Sequence, residues 1–269
     1  MSKKLPPGSR LPIRPRCEMA LANSGSWISH DSGVEPALDS LGTPSPTDDK
    51  DRYSRTWKAH VPHAGRRPPA KGIANFRGST TDANGREIVI ESTLEYAAAT
   101  IALAHRRVKK VLPQVGRVDY SDTDGDSRYT TFDFVVSSHS DTTLAIAIKP
   151  KRKVASSGIE STVAAIRDQH PEFSDDIVVW TEDQMPRFAE HNAGLILRSR
   201  KLRNEDDVSI IKVMVGKLHG TVDLGQLVRQ SPLGHARSLT AIVNLIDEGV
   251  LVPMNDKRID PTLPVRLAA

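Results

Sequence analysis

The sequence predicts an α/β protein in which helices flank a mixed β-sheet, with a small helical unit after the sheet and an unstructured arm before it. Apolar segments of strand length alternate with helix-like apolar stripes between about residues 85 and 185. Three further helix-like segments and an extended tail follow. The opening 84 residues, in contrast, are rich in Pro, Gly, Ser, Thr and Asp without a sustained period. We therefore divide the chain into an arm at 1–84, an α/β domain at 85–204 and a helical domain at 205–269.

Composition indicates a soluble protein whose core is aliphatic. The 269 residues are 38% hydrophobic and 26% charged, with only 4% aromatic residues. The single cysteine, Cys17, cannot form a disulfide within the chain, which is typical of a reducing cytosol. There is neither an apolar run long enough to cross a membrane nor an apolar core behind the basic N-terminus, as a secretory signal would need. We expect a cytoplasmic protein with no membrane partner, and its net charge of +4 permits nucleic-acid binding.

The arm at 1–84 contains turn and linker sequences such as "LGTPSPTDDKD" and "HAGRRPPAKG". Such segments bury too little apolar surface to offset the conformational entropy of the chain. Arg66, Arg67 and Lys71 could contact phosphates from a flexible arm, or they could belong to a solvated tail.

Regular structure is predicted to begin near "REIVIESTLEY". Ser92 or Thr93 can cap a helix, and Glu95 falls in its first turn, where a carboxylate suits the helix dipole. The helix should end at the basic segment "HRRVKK". Its apolar stripe comprises Leu94, Ala97, Ala98, Ile101, Leu103 and Ala104.

Three strands should follow, joined by polar turns. They are "VLPQVGRVDYS", "RYTTFDFVVSS" and "TLAIAIKP", with "DTDGDS" and "HSDT" between them. Gly125 in the first turn can adopt a positive φ at low cost. "GIESTVAAIRDQH" is predicted to be a helix, and "DDIVVWTED" to be a strand. Because this last strand is apolar throughout, we expect it to be central in the sheet.

The C-terminal domain is predicted to contain three helices and an extended segment, which fits a winged helix. The helices are "VSIIKVMVGKLHG", "TVDLGQLVRQ" and "SPLGHARSLTAIVNLIDEG", the last ending at Gly249. Its third helix could enter a DNA major groove with His235 and Arg237 near its start. Because this helix has few basic residues, we favour docking of a protein, or contacts with both protein and DNA, over DNA binding alone. The core side should comprise Leu239, Ile242, Val243, Leu245 and Ile246.

Two charged residues within the predicted strands suggest a site. Side chains alternate between the faces of a strand, so Ala147 and Lys149 should share one face, opposite Ile146 and Ile148. In the preceding strand Asp133 should share a face with Thr131 and Val135, opposite Phe132, Phe134 and Val136. The short turn makes the two strands antiparallel neighbours. Asp133 and Lys149 can then converge, with Glu95 reaching in from the preceding helix.

This residue set suits phosphodiester hydrolysis. Carboxylates hold Mg²⁺ through hard oxygen ligands, the metal activates water, and a lysine can stabilise negative charge in the transition state. Each residue also has a structural interpretation: Glu95 can favour the helix dipole, Asp133 can be structural, and Lys149 can be an ordinary charge at a strand end.

The ordered motifs resemble the TnsA family, the endonuclease subunits of heteromeric cut-and-paste transposases. The resemblance covers about 90–200 through "ESTLEYAAA", "LPQVGRVDY", "YTTFDFVV", "LAIAIKPKRK", "IVVWTED" and "HNAGLILRSR". It implies a restriction-endonuclease-like (PD-(D/E)XK) fold with catalytic residues Glu95, Asp133 and Lys149. It also implies Mg²⁺, or Mn²⁺, held by Glu95, Asp133 and the main-chain carbonyl of Ile148. A second domain of the winged-helix type is consistent with the family.

One position departs from the family pattern. Ala147 stands two residues before the lysine, where the family usually has Glu or Gln, so one metal contact should be lost. Glu91 and Glu160 are candidates for a carboxylate that has migrated to replace it.

Three functional hypotheses remain at this point. The leading one is an Mg²⁺-dependent endonuclease subunit that cuts double-stranded DNA at transposon ends, acting with a DDE-type transposase and an AAA+ ATPase regulator. The alternative is a cleavage-deficient nuclease fold retained as a DNA-binding or assembly subunit. A third is a winged-helix transcription regulator with an unrelated α/β domain.

Overall fold

The computed structural model describes residues 78–82 and 84–268, so most of the predicted arm lies outside the described residues. Two short antiparallel strands open the described part, β1 (Gly78–Thr81) and β2 (Glu87–Ile90). β1 lies within the segment that the sequence predicted to lack regular structure. The buried side chains of Ile88 and Ile90 join the main core, which explains why the chain is ordered here.

Helix α1 (Thr93–Ala104) begins and ends where the sequence predicted. The Ser92 hydroxyl accepts a hydrogen bond from the Glu95 main-chain N–H, which satisfies one of the free donors of the first turn. One side of the helix is nearly all alanine and isoleucine and is buried. These small side chains allow close packing against the sheet and against a later helix.

A four-stranded mixed sheet forms the centre of the α/β domain. Its strands are β3 (Val108–Ser121), β4 (Ser127–Ser138), β5 (Thr143–Ile148) and β6 (Asp176–Trp180), in spatial order 3-4-5-6. β4 pairs antiparallel with both β3 and β5, whereas β6 pairs parallel with β5. β6 is therefore an edge strand of this sheet, and the expectation that it is central was wrong. Its apolar residues reflect coverage by helices on both faces, not a central position.

Helices cover the two faces of this sheet. After β5 come a 3₁₀ turn (Lys151–Lys153), the short α2 (Val154–Ser157) and α3 (Ile159–Gln169); α4 (Arg187–Lys201) follows β6. α1 and α4 pack over one face with Phe134, Val136 and Ile146. α3 packs over the other with Ala145, Ala147 and Ile177. The α/β class and the mixed sheet are confirmed.

Alternation of faces holds along β5 but breaks in β4. Ile146 and Ile148 pack on the α1 side, while Ala145 and Ala147 pack on the α3 side, as expected. Phe132, however, packs on the α3 side and stacks on Phe173, with ring centroids 5.2 Å apart, while Phe134 faces α1. The expectation that the two phenylalanines share a face was therefore wrong. The irregularity falls at the residue between them, Asp133.

The C-terminal part contains three helices and a three-stranded sheet. The helices are α5 (Glu205–Val215), α6 (Leu224–Gln230) and α7 (His235–Asp247). The strands β7 (Thr221–Asp223), β8 (Leu251–Pro253) and β9 (Pro264–Leu267) pair antiparallel in the order 7-9-8. Of the predicted core residues, Leu239 is partly buried and the other four are buried. Across 78–82 and 84–268, no helix combines the length and the apolar character that spanning a bilayer requires.

Candidate active site around Asp133

Asp133 lies where β4 and β5 separate. The β4–β5 ladder is regular from Ser137–Thr143 to Phe134–Ile146 and then stops. Beyond that point the main-chain N–H of Ile148 donates to Asp133 Oδ2 at 2.6 Å. A side-chain carboxylate thus takes the place of a ladder partner, and no described residue donates a hydrogen bond to its other oxygen, Oδ1. One oxygen of a half-buried carboxylate is therefore left for a ligand.

The surroundings of Asp133 are negatively charged and poorly solvated. Burial, together with the nearby carboxylates of Glu95 and Glu91, raises the pKa of Asp133 to about 6. The Ile148 amide and the ammonium group of Lys149 oppose this increase. The charges of Glu95, Asp133 and Lys149 therefore act on one another, although they lie on three separate elements. A cation bound at this position would relieve the excess negative charge.

Glu95 is buried in the first turn of α1 and has a structural task there. Its Oε2 accepts from the main-chain N–H of Glu91 at 2.9 Å, and its Oε1 accepts from the Ser92 hydroxyl at 2.8 Å. With the reciprocal bond from the Glu95 N–H to Ser92, this is a capping-box arrangement. These bonds fix the orientation of the carboxylate, and each oxygen retains a lone pair. The cap and the site therefore use the same side chain.

Lys149 follows the last residue of β5 and is half-buried. Its main-chain N–H donates to Trp180 O at 3.0 Å, which anchors the segment to β6. Its ammonium group makes no ion pair with any residue of the described part. The exposed residues after it differ: Lys151 Nζ pairs with Asp183 at 2.6 Å, whereas Arg152 and Lys153 form no ion pair with a described residue. Of these three basic groups without a described ion-pair partner, Lys149 is the one whose charge acts on Asp133.

The carboxylates near Asp133 offer few ligands for a metal ion. Within 78–82 and 84–268, no three His, Cys, Asp or Glu side chains are placed to hold one metal ion together. Ala147 contributes no oxygen, as the sequence indicated. Mg²⁺ in proteins nevertheless commonly uses one or two carboxylates and completes its shell with water and substrate phosphates. The carboxylates of Asp133 and Glu95 and the main-chain carbonyl of Ile148 offer hard oxygen ligands, which is the type of ligand that such a cation binds.

Two further polar residues, Glu91 and Gln114, were not among the three predicted catalytic residues. The charge of Glu91 reaches Asp133, which supports its earlier candidacy as an additional carboxylate; Glu160 has no such effect. Gln114 is buried in β3 and has a left-handed backbone with φ of 49°. In the sequence, Gln114 could have been noticed as a polar residue within the apolar strand segment "VLPQVGRV".

The C-terminal domain presents few free basic groups at α7. Arg237 is bound by the buried carboxylate of Asp207 on α5, with Arg237 Nε 2.8 Å from Asp207 Oδ2. This pairing occupies the guanidinium that the sequence suggested for the major groove. It favours the docking interpretation of this helix over direct base contacts.

Comparison of the chain with protein-family models finds no match, and comparison with curated proteins finds no significant match.

Proposed function

We propose that this chain is a TnsA-like subunit of a transposition system, an Mg²⁺-dependent endonuclease that cuts double-stranded DNA at the ends of the mobile element. The single observation that carries the proposal is the placement of Asp133. Its half-buried carboxylate lies where two strands separate, with one oxygen that accepts no hydrogen bond from a described residue and with Glu95 and Lys149 close enough to change its pKa.

The order of the elements supports the proposal. A helix, three antiparallel strands, a helix and a parallel strand form the α/β domain. This is the order expected of a restriction-endonuclease-like domain. Glu95 lies on the first helix, Asp133 on the second of the three strands, and Lys149 directly after the third. These are the positions that the TnsA resemblance implies for the three residues.

The chemistry assigned to each residue follows from its environment. Bound Mg²⁺ would polarise the scissile phosphate and supply hydroxide from water. Asp133 would hold the cation through its free oxygen, and Glu95 would do so from a carboxylate that the cap keeps oriented. Lys149, which has no competing ion pair among the described residues, would bind the phosphate and stabilise its developing charge. Arg152 and Lys153 would contact neighbouring phosphates along the DNA backbone.

Partner contacts are proposed for the C-terminal domain. Its three helices and three-stranded sheet support the proposal of a winged-helix domain, and the Arg237–Asp207 pair supports docking of a protein by α7 over contacts with base edges. We propose that this domain docks the AAA+ ATPase regulator, and that the DDE-type transposase makes the complementary cuts.

A second candidate function is favoured by a specific observation. Ala147 supplies no ligand, and both oxygens of Glu95 accept hydrogen bonds within the α1 cap. Such a site could be too weak for catalysis, leaving a DNA-binding or assembly subunit. The two candidates differ in whether the wild-type protein cuts.

A cleavage assay tests the proposal. The full chain, with the transposase and ATPase of the same element, is incubated with Mg²⁺ and a supercoiled plasmid that carries the element's ends. We expect wild-type nicking, and Asp133→Ala and Lys149→Ala each to reduce its rate by about 100-fold or more, since each removes a group that stabilises charge in the transition state. Asp168→Ala, which alters an exposed carboxylate on α3, is the matched control and should cut like the wild type.

The outcomes separate the two candidates. Cleavage that is unchanged in Asp133→Ala and Lys149→Ala would show that the site is assigned wrongly. A wild type that does not cut, combined with an Ala147→Glu variant that does, would establish the assembly subunit with a degenerate site.

A further inference from the structure

The outer side of helix α4 carries a row of basic residues. Positions four, seven, eleven and fourteen residues after Arg187 lie on one side of this helix, opposite the buried Ala189 and Ala193. The three long basic side chains of the row are exposed, and none forms an ion pair with a described residue. At 1.5 Å of rise per residue, the row is about 20 Å long. This basic row comprises Arg187, His191, Gly194, Arg198 and Lys201.

The loop between β8 and β9 is attached to the same helix by Asn192. The Asn192 side chain donates from Nδ2 to Lys257 O at 2.8 Å, and its Oδ1 accepts from the Ile259 N–H at 2.7 Å. Ile259 is itself buried in the core of the C-terminal domain. Arg258, between these two attachment points, is exposed and has no ion pair with a described residue. Asn192 therefore fixes the main chain on both sides of Arg258.

The charge around His191 shows that the loop and the basic row meet. Burial lowers the pKa of His191, and the positive charges of Arg258 and Arg198 lower it further. The carboxylate of Asp260 opposes this change, but its Oδ1 already accepts from the N–H and the hydroxyl of Thr262. Arg198 and Arg258 therefore act on one imidazole although they are far apart in the chain. A bound anion would relieve the repulsion between these like charges.

Gly194 lies between His191 and Arg198 in the basic row. A Cβ at Gly194 would point into open space, with no described group outside its own helix turn within 4 Å, so the fold does not require glycine here. Glycine inside a helix is unfavourable compared with alanine. It does allow a ligand to approach the main chain closely. A low point between two basic positions therefore suits a ligand that lies along the helix.

We propose that the basic row on α4, together with Arg258 on the β8–β9 loop, binds the phosphate backbone of double-stranded DNA, and that Asn192 positions Arg258 for this contact. Arginine and lysine commonly make such contacts. The basic row contains no apolar side chain, whereas protein interfaces are usually centred on buried apolar or aromatic groups. A length of about 20 Å matches about six successive phosphates of one strand. The inference rests on the proposed function in taking DNA as the polyanion.

Fluorescence anisotropy of a short DNA duplex with the full chain in EDTA tests this inference without cleavage. We expect Arg198→Met/Arg258→Met to weaken binding by about tenfold or more at 0.1 M salt. The slope of log affinity against log salt should fall by about two, since each phosphate contact contributes about 0.9. The matched control, Lys212→Met/Lys217→Met, removes the same charge from exposed positions on and after α5 and should bind DNA like the wild type.

Asn192→Ala tests the positioning role, because it leaves the net charge unchanged. It should weaken DNA binding severalfold by releasing the loop. In an Arg258→Met background the same change should have no further effect, since Asn192 acts through Arg258. A purely structural role for Asn192 would give the same loss in both backgrounds.

Substitutions at Gly194 test the basic row by adding a charge and removing no basic group. Gly194→Glu should weaken DNA binding clearly more than Gly194→Gln, which has nearly the same size. Both variants should unfold no more easily than the wild type, because both residues favour a helix over glycine and have room at this position.

The outcomes separate this inference from the proposed endonuclease. Equal DNA affinity and salt dependence in the wild type and in Arg198→Met/Arg258→Met would overturn the inference and leave the cleavage proposal intact. Normal DNA binding by that variant with loss of binding to the ATPase regulator would make the basic row a protein interface and the inference wrong. A wild type that binds DNA through this row but does not cut it would support the inference and contradict the endonuclease.

Discussion

Replacing Arg200 by methionine is expected to destabilise the protein by roughly 2–3 kcal/mol, because the Arg200–Asp247 ion pair is partly buried and its carboxylate loses its charged partner. Arg200 Nε and Nη2 donate to Asp247 on α7 at 2.7 and 2.8 Å. The same guanidinium donates to the main-chain oxygens of Leu103 and Ala104 at the end of α1. Its loss leaves a largely buried carboxylate and two helix-terminal carbonyls without their partner.

Urea unfolding followed by circular dichroism measures this effect. Arg198→Met is the control, because Arg198 lies on the same helix but is exposed and has no ion pair with a described residue. The double variant Arg200→Met/Asp247→Leu should recover part of the loss, since it removes the stranded carboxylate. An Arg200→Met protein within about 1 kcal/mol of the wild type would contradict this account, because so small a change is typical of exposed ion pairs.

Asp133→Asn is expected to stabilise the metal-free protein at neutral pH and to leave its stability unchanged near pH 4. The folded state raises the pKa of Asp133 from 3.8 to about 6, so the folded protein holds this proton more tightly than the unfolded chain. The contribution of Asp133 to stability is therefore fully present below about pH 4 and is lost as the pH rises through about 6. Asparagine keeps an oxygen for the Ile148 amide and carries no charge. The expected gain at pH 7 is roughly 2–3 kcal/mol.

The measurement is urea unfolding in EDTA at pH 4 and at pH 7, for the wild type and for Asp133→Asn. Asp168→Asn, on an exposed part of α3, should give the same difference between the two pH values as the wild type. If the advantage of Asp133→Asn were equal at both pH values, titration of Asp133 would not be its cause.

Much of the local structure was predictable because it depends on nearby residues. Ser92 and Glu95 form a cap that four residues of sequence specify, and helix α1 begins there. Gly125, with φ of 85°, occupies the predicted turn between β3 and β4. The three helical segments of the C-terminal domain follow an apolar period of 3.6, which α7 shows most clearly.

Other features depend on contacts that local patterns do not contain. Helix α4 was not predicted; its fully buried positions are the small residues Ala189, Ala193 and Ser199, and its larger apolar side chains are only partly buried. The apolar sequence of β6 suggested a central strand. The strand lies at the edge of the sheet, and helices on both faces of the sheet bury its side chains. The predicted second helix also begins as strand β7, since Val222 pairs with Val265 more than 40 residues away.

For the candidate site, the residues were predictable but their surroundings were not. Asp133 was conspicuous as a charge between two phenylalanines. The separation of β4 from β5 and the opposite faces of Phe132 and Phe134 occur together with the tertiary bond between Asp133 and the Ile148 amide, which local sequence patterns do not contain. The hydrogen bonds that make Glu95 a cap residue as well as a candidate site residue likewise emerge only from the folded structure.

Calorimetric titration of Mn²⁺ into the wild type and into Asp133→Asn at pH 7.5 tests the central claim most directly. The claim predicts one Mn²⁺ bound per wild-type chain, and an affinity at least about tenfold weaker in Asp133→Asn, even though that variant should be the more stable of the two. Identical titration curves for the two proteins would contradict the claim that this separation of β4 and β5 forms a cation site.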